Sequence, residues 1–185
     1  MQKGKAVAAG IRVALADSSD LEDIKHLYDA VVEDNSGTKH DVLWRRDLHP
    51  SDAALEAAVA AGELYGAWLD DELVGAAVVN CDFAPGYDTV PWHVEAEIGQ
   101  ARCLHLFCTH PMYQGKGLGS AFLHELFEQL RCQDVRALRL DVFDYNAPAR
   151  HLYEKLGFEL VGITHLAYED QQVHHIPFAM YEKAL

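Results

Sequence analysis

The chain has 185 residues, 50% apolar and 24% charged, the ordinary balance of one compact domain. A chain of this length buries about 70% of its unfolded surface and needs no disulfide or metal staple, which excludes a stapled mini-protein. With 15 Lys and Arg against 29 Asp and Glu, its net charge of −14 repels nucleic acid and anionic lipid, so neither nucleic acid nor a membrane is an expected partner.

The charge is uneven. Between Gln100 and Leu160 seven basic residues offset seven acidic ones, so the whole net charge lies outside that stretch. A neutral segment in an acidic protein suits an anionic cofactor, and the rest attracts cations; the plainer reading is an acidic surface that keeps the chain in solution. Cys81, Cys103, Cys108 and Cys132 lack the paired spacing of a secreted disulfide framework. Met1 to Gly10 has no apolar stretch of secretory length, and no later segment approaches a membrane span. The expected compartment is the cytoplasm, with reduced thiols.

In chain order, Ile11, Val13 and Leu15 alternate as in a half-buried strand that stops at Asp17 and Ser18. Ser19 and Glu22 have the spacing of a capping box, and Leu21, Ile24, Leu27, Tyr28, Val31 and Val32 recur at helical spacing until Asn35 and Gly37. A second helix starts near Ser51, turns Leu55, Ala58 and Val59 inward and ends at Gly62. Leu64 to Trp68 and Leu73 to Asn80 read as a hairpin joined at Asp70-Asp71. Residues 81–100, with Pro85, Gly86, Pro91 and Gly99, form a long connection, either a functional loop or a variable surface one.

A strand follows (Arg102 to Thr109), then a glycine-rich turn (Gln114 to Gly119) and a helix with Leu118, Phe122, Leu126 and Leu130 on one stripe. Ala137 to Phe143 is the next strand, and a helix from about Ala147 to Leu156 ends at Gly157. Strands over Phe158 to Leu166 and about His174 to Tyr181 finish a mixed α/β (α+β) sheet.

The run QGKGLGS, Gln114 to Ser120, puts glycines at a helix start directly after a strand, where unpaired N–H groups bind phosphate oxygens. Spacing removes two alternatives. A P-loop needs Ser or Thr directly after Gly-Lys, where Gly117 stands, and a dinucleotide fingerprint needs G-x-G-x-x-G, whereas Gly115, Gly117 and Gly119 are spaced G-x-G-x-G. A purely structural strand-to-helix turn stays open.

Leu104 to Gly119, LHLFCTHPMYQGKGLG, resembles the acetyl-CoA motif of the GNAT superfamily of N-acetyltransferases, with Gln114, Gly117 and Gly119 at its pyrophosphate-wrapping positions. Downstream, NAPARHLYEKLGF resembles the second signature of that family through Asn146, Ala149, Tyr153, Gly157 and Phe158. Thr109 departs from the usual Val, and His110 precedes Pro111. The resemblance implies a single domain over residues 1–185, with a mostly antiparallel sheet whose parallel fourth and fifth strands splay, flanked by about four helices. It also implies acetyl-CoA as acetyl donor and direct attack by a primary amine of a small molecule or peptide, without a nucleophilic side chain.

By the same resemblance, Phe107, Cys108 and Thr109 pair with the pantetheine arm like an added strand. Gln114, Gly115, Lys116, Gly117, Leu118, Gly119 and Ser120 hold the phosphates, and Asn146, Ala149 and Tyr153 complete the cofactor set. Tyr153 stands where the family's general acid protonates the departing thiolate; a ring packed in the core is the plainer alternative. His105 leads as the base that takes the amine proton, because imidazole titrates near neutrality, with Glu97 and then Asp82 next; solvent collecting the proton unaided is the alternative.

The acceptor site is expected around Asn80, Asp82, Tyr87 and Trp92, because aromatic rings beside carboxylates suit a cationic or amphipathic amine. The same two rings could instead pin the loop to the sheet. Cys103, His105, Cys108 and His110 look like metal ligands by type, but alternation along a regular strand turns the first pair away from the second, and adjacent His174 and His175 diverge likewise, so no metal is expected. A non-catalytic acyl-CoA-binding sensor is the rival function, and a homodimer is compatible with either.

Overall fold

The structure is a computed structural model that describes residues 10–38, 41–46, 48–97, 99–166, 173 and 175–185. Its contacts gather into two compact units, one comprising Met1–Val79 and His105–Leu126 and the other Asn80–Leu104 and Phe127–Leu185.

The first unit holds β1 (Ile11–Leu15), α1 (Leu21–Asn35), α2 (Asp52–Ala60), β2 (Leu64–Leu69) and nearly all of β3 (Glu72–Asn80). It also holds the end of β4 (Ala101–Thr109) and the start of α3 (Leu118–Cys132). β1 and β2 pair antiparallel from Ile11 opposite Leu69 to Leu15 opposite Tyr65, and β2 and β3 form the expected hairpin. The apolar stripes do what their spacing requires: Ile24, Leu27, Tyr28 and Val31 of α1 and Leu55, Ala58 and Val59 of α2 pack on Leu64, Trp68, Leu73, Ala76 and Val78. Gly75 of β3 permits a close approach, since a Cβ there would meet the Cys108 carbonyl and the Phe122 ring at 3.1 Å.

The N-terminal cap of the first helix differs from expectation. Asp17 and Asp20, rather than Ser19 and Glu22, form the capping box of a 3-10 turn at Ser18–Asp20 that runs into α1. Asp17 accepts from the Ser19 N–H at 2.7 Å and from its hydroxyl at 2.6 Å, so the serine is a donor here. The carboxylate wins because it accepts charge-assisted bonds at a helix start. α2 starts where expected, with Ser51 as its cap accepting from the Ala54 N–H at 3.2 Å.

The second unit holds the start of β4, the end of α3, β5 (Ala137–Phe143), α4 (Ala147–Lys155), β6 (Glu159–Thr164) and β7 (Phe178–Ala184). Its strand order is β4-β5-β7-β6, as that of the first unit is β1-β2-β3-β4. All but one of the described ladders are antiparallel; β4 and β5 run parallel over three pairs, Ala101–Ala137 to Cys103–Arg139. Parallel fourth and fifth strands in a mostly antiparallel sheet, with four α-helices among the described residues, are the expected architecture.

The last two strands are shifted. β6 is shorter than expected, and Phe158 instead turns into the core against Phe127 and Tyr153, at 5.8 and 5.5 Å between ring centroids. β7 starts at Phe178, directly after Pro177, which has no N–H for a ladder. It runs on to Ala184 because β5 pairs with it throughout. His174, the expected start of that strand, lies outside the described residues. Among the described residues no helix is long and apolar enough to cross a membrane.

The connection from α1 to α2 is organised by Asp41. Its carboxylate accepts from the Gly37 N–H at 2.8 Å, from the Leu43 N–H at 2.7 Å and from both terminal nitrogens of Arg45 at 2.9 and 3.2 Å. The Arg45 guanidinium, helped by those N–H groups, holds the carboxyl at about 2, below its ordinary 3.8. A depressed native value means that this stability is complete above the unfolded pKa and is lost as pH falls through the folded one. Asp41→Asn is therefore expected to cost up to about 2 kcal/mol at neutral pH. In thermal melts across pH, its deficit against the parent should close between about pH 4 and pH 2.

Candidate active site

The glycine turn belongs to the first unit. A short 3-10 helix, Pro111–Tyr113, follows β4 and is capped by His110, whose Nδ1 accepts from the Met112 N–H at 3.3 Å. Gly115 and Gly117 then take φ of 72° and 84°, the left-handed region open to glycine, and nothing lies within 4 Å of a Cβ added at either. Among the described residues, the N–H groups of Gly115, Gly117, Leu118, Gly119 and Ser120 have no acceptor. Such a row of open backbone donors at the start of a 15-residue helix fits the phosphates of acetyl-CoA.

The end of β4 departs from regular strand geometry. Leu106 has φ 52°, a left-handed conformation that costs an L-residue about 1–2 kcal/mol, and its carbonyl accepts the Tyr28 hydroxyl at 2.7 Å. Ala101, Cys103, Leu104 and Cys108 are the buried positions of the strand, so both of its faces are covered, and the left-handed Leu106 interrupts the regular alternation assumed for it. Phe107 lies on Phe122 of α3 at 5.6 Å, while His105, Phe107 and Thr109 stay half-buried. Among the described residues no group of three or more His, Cys, Asp or Glu side chains is arranged to hold a metal ion.

In the second unit Tyr153 is buried, its ring packed between Phe158 and Tyr181 at 5.5 and 6.2 Å. Burial, with the Asp141 carboxylate nearby, pushes its phenol well above the usual value, so the group is a proton donor rather than a base. Asn146 caps α4, its Oδ1 accepting from the Ala149 N–H at 3.3 Å, so both residues shape the turn that carries Tyr153. Burial pushes the Cys103 thiol far up and the Cys108 thiol to about 12, which leaves both protonated and unsuited to nucleophilic attack.

The long loop is held down by its aromatic residues. Tyr87 is 3% exposed and its hydroxyl donates to Asp141 at 2.6 Å, with the Cys103 sulfur 3.3 Å away. Trp92 donates from Nε1 to the Tyr87 carbonyl at 2.8 Å and is stacked under the Arg139 guanidinium at 4.7 Å. Both rings thus serve the loop-pinning role. Asn80 caps the loop entrance by accepting from the Asp82 N–H at 3.0 Å, whereas the side chains of Asp82 and Glu97 stand exposed.

Sequence reasoning missed Arg139, Asp141 and Glu182. Glu182 is 3% exposed and accepts from the N–H groups of His93 at 2.8 Å and Val94 at 3.0 Å and from Arg139 Nε at 3.0 Å. Arg139 Nη2 in turn donates to the Val94 carbonyl at 3.1 Å. The available signal was a lone carboxylate inside the apolar run FAMYEKA, which a buried strand tolerates only when paired.

This fold, with its open glycine turn, is that of an acetyl-CoA-dependent acyltransferase. The profile of the Acetyltransferase (GNAT) family matches residues 24–158, and the chain belongs to that family. It is an N-acetyltransferase that takes its acetyl group from acetyl-CoA and delivers it to an amine. Streptothricin acetyltransferase of Escherichia coli is 25% identical over 90% of this chain and 88% of its own length. The [ribosomal protein bS18]-alanine N-acetyltransferase of Escherichia coli strain K12 is 38% identical over 38% of this chain and 51% of its own. Among solved structures, a GNAT-family acetyltransferase from Streptococcus agalactiae superposes with a TM-score of 0.74 at 20% identity, covering 96% of each chain.

Removing the Glu182 carboxylate would leave a half-buried guanidinium and two N–H groups without their acceptor. Glu182→Ala is accordingly expected to lose about 3–5 kcal/mol in urea unfolding, and Glu182→Gln, which keeps one acceptor oxygen, clearly less.

Proposed function

We propose that the chain acetylates a small-molecule amine, with the cofactor held along the end of β4 and across the glycine turn. The open N–H groups of Gly115 and of Gly117 to Ser120 carry this reading, because unpaired backbone donors at a helix start attract phosphate oxygens. Both units would serve one acetyltransferase domain, since the family match runs through both and β4 and α3 each begin in one and end in the other. A small molecule is favoured over a peptide because the relative named for streptothricin aligns along most of the chain, whereas the one named for a ribosomal protein aligns over less than half. A cytoplasmic location and homodimer formation belong to the same reading.

In this reading acetyl-CoA supplies the acetyl group already activated as a thioester. Backbone groups at Phe107, Cys108 and Thr109 bind the pantetheine arm as an added strand, and Gln114, Gly115, Lys116, Gly117, Leu118, Gly119 and Ser120 fix the phosphates. His105, or Glu97 through water, takes the proton that the amine must lose before it attacks. Tyr153, kept protonated by its burial, gives its hydroxyl proton to the sulfur as the bond to the acetyl carbon breaks. Asn146 and Ala149 hold the turn on which Tyr153 stands. Asn80, Asp82, Tyr87 and Trp92 shape the acceptor loop, and its carboxylates favour a cationic amine.

The activity is tested with a panel of amines, streptothricin and an N-terminal alanine peptide included, by reading free CoA thiol. Turnover with a small amine is expected; turnover with the peptide alone would overturn the acceptor assignment. Gly117→Val forces a β-branched residue to φ 84° and is expected to weaken acetyl-CoA binding at least about tenfold by calorimetry. Tyr153→Phe should lower kcat by about 10²-fold while acetyl-CoA affinity changes little, because the hydroxyl matters only as sulfur gains charge.

A further inference from the structure

Leu106 stands in the middle of the strand assigned to the pantetheine arm, in a backbone conformation that its own side chain opposes. Left to itself, a leucine there relaxes to extended backbone, which would reverse the directions of the peptide groups that follow. Something has to hold it. The partner is Tyr28 on α1, fully buried, whose hydroxyl donates to the Leu106 carbonyl at 2.7 Å. The tyrosine ring is itself fixed among Ile24, Leu27, Leu55 and Cys108 of the same core and packs on Trp44 at 5.7 Å. Leu106 packs against that core from the other end of the bond. The hydroxyl therefore reaches the carbonyl from a rigid base, 78 residues away in sequence.

We propose that Tyr28 is a positioning residue for acetyl-CoA: its hydroxyl keeps Leu106 left-handed, so that the backbone groups of Phe107 to Thr109 are aimed at the pantetheine arm before the cofactor arrives. The inference rests on the assignment of β4 to that arm. Without the bond the competent backbone is only a fraction of the population, and the apparent dissociation constant rises by the inverse of that fraction. The glycine turn is not built on this bond, so the nucleotide end of the cofactor should not register its loss.

The experiment compares two probes by calorimetry: acetyl-CoA, and 3′-phospho-ADP, which keeps the nucleotide end and lacks the arm. Tyr28→Phe is expected to weaken acetyl-CoA about three- to tenfold, the worth of one hydrogen bond, and to leave 3′-phospho-ADP unchanged. Leu106→Val, which stays apolar but makes the left-handed backbone harder, should do the same without touching α1. Tyr28→Phe combined with Leu106→Gly should return acetyl-CoA affinity to within about twofold of the parent, since glycine holds that conformation unaided, even where the melting temperature falls. Parent-like affinity in Tyr28→Phe, equal loss of both probes, or no recovery in the double variant would each overturn the proposal. Gly117→Val separates the two assignments: if it leaves both probes bound as in the parent, the phosphate assignment fails, while the Tyr28 comparison still stands on its own result.

Discussion

The bond from the Tyr28 hydroxyl to the Leu106 carbonyl is the constraint on which the end of β4 depends. A strand must stay extended to pair regularly, yet β4 carries a left-handed residue, Leu106, in its second half. That conformation is unfavourable at a leucine unless something outside the strand supports it. The support comes from the α1–α2 core, which is packed tightly enough to present one hydroxyl at a fixed place. Beyond that point Phe107 settles on Phe122, and Gly75, with no side chain in the way, lets the Cys108 carbonyl and the Phe122 ring come close. The end of β4 inherits its geometry from the α1–α2 core.

The second unit solves a different problem, the anchoring of a long loop. A loop of this length is entropically disposed to wander, and two polar clusters oppose that. Tyr87 reaches Asp141 on β5, and the Arg139–Glu182 pair, directly opposite one another on β5 and β7, takes hold of the backbone at His93 and Val94. Trp92 is trapped beneath the guanidinium of the same pair. The buried charges here are tolerable because each finds several partners, and they specify one loop position where apolar packing alone would allow many.

Electrostatics and burial also narrow the chemistry. The buried thiols are held protonated, so an acyl-enzyme on Cys103 or Cys108 is disfavoured, and direct transfer to an amine is the route consistent with the family. A phenol kept protonated by the same burial is suited to giving a proton to sulfur and unsuited to taking one from an amine. The stretch from Gln100 to Leu160, neutral within a chain of net charge −14, contains both the glycine turn and Tyr153. An anionic cofactor meets no excess of like charge in that stretch, while the acidic remainder draws in cations.

Local rules determined much of this protein from sequence alone. The helical stripes of α1, α2 and α3, the hairpin, the caps by glycine at 62 and 157 and the open turn at Gln114 to Ser120 all follow from residue spacing within a few positions, where periodicity and backbone sterics act. Where two residues a short distance apart competed for one role, sequence chose wrongly: Ser19 has the right hydroxyl for a cap, but Asp17 brings a charge. The tertiary structure alone decided the rest. Tyr28 finds Leu106 across 78 residues, Tyr87 finds Asp141 across 54 and Arg139 finds Glu182 across 43, and no spacing rule reaches so far. Those contacts hold the Leu106 carbonyl and the place of the loop, and burial sets the protonation of Tyr153, because a buried hydrogen bond or a desolvated charge is defined by what the fold packs around it and not by the residues beside it in the chain.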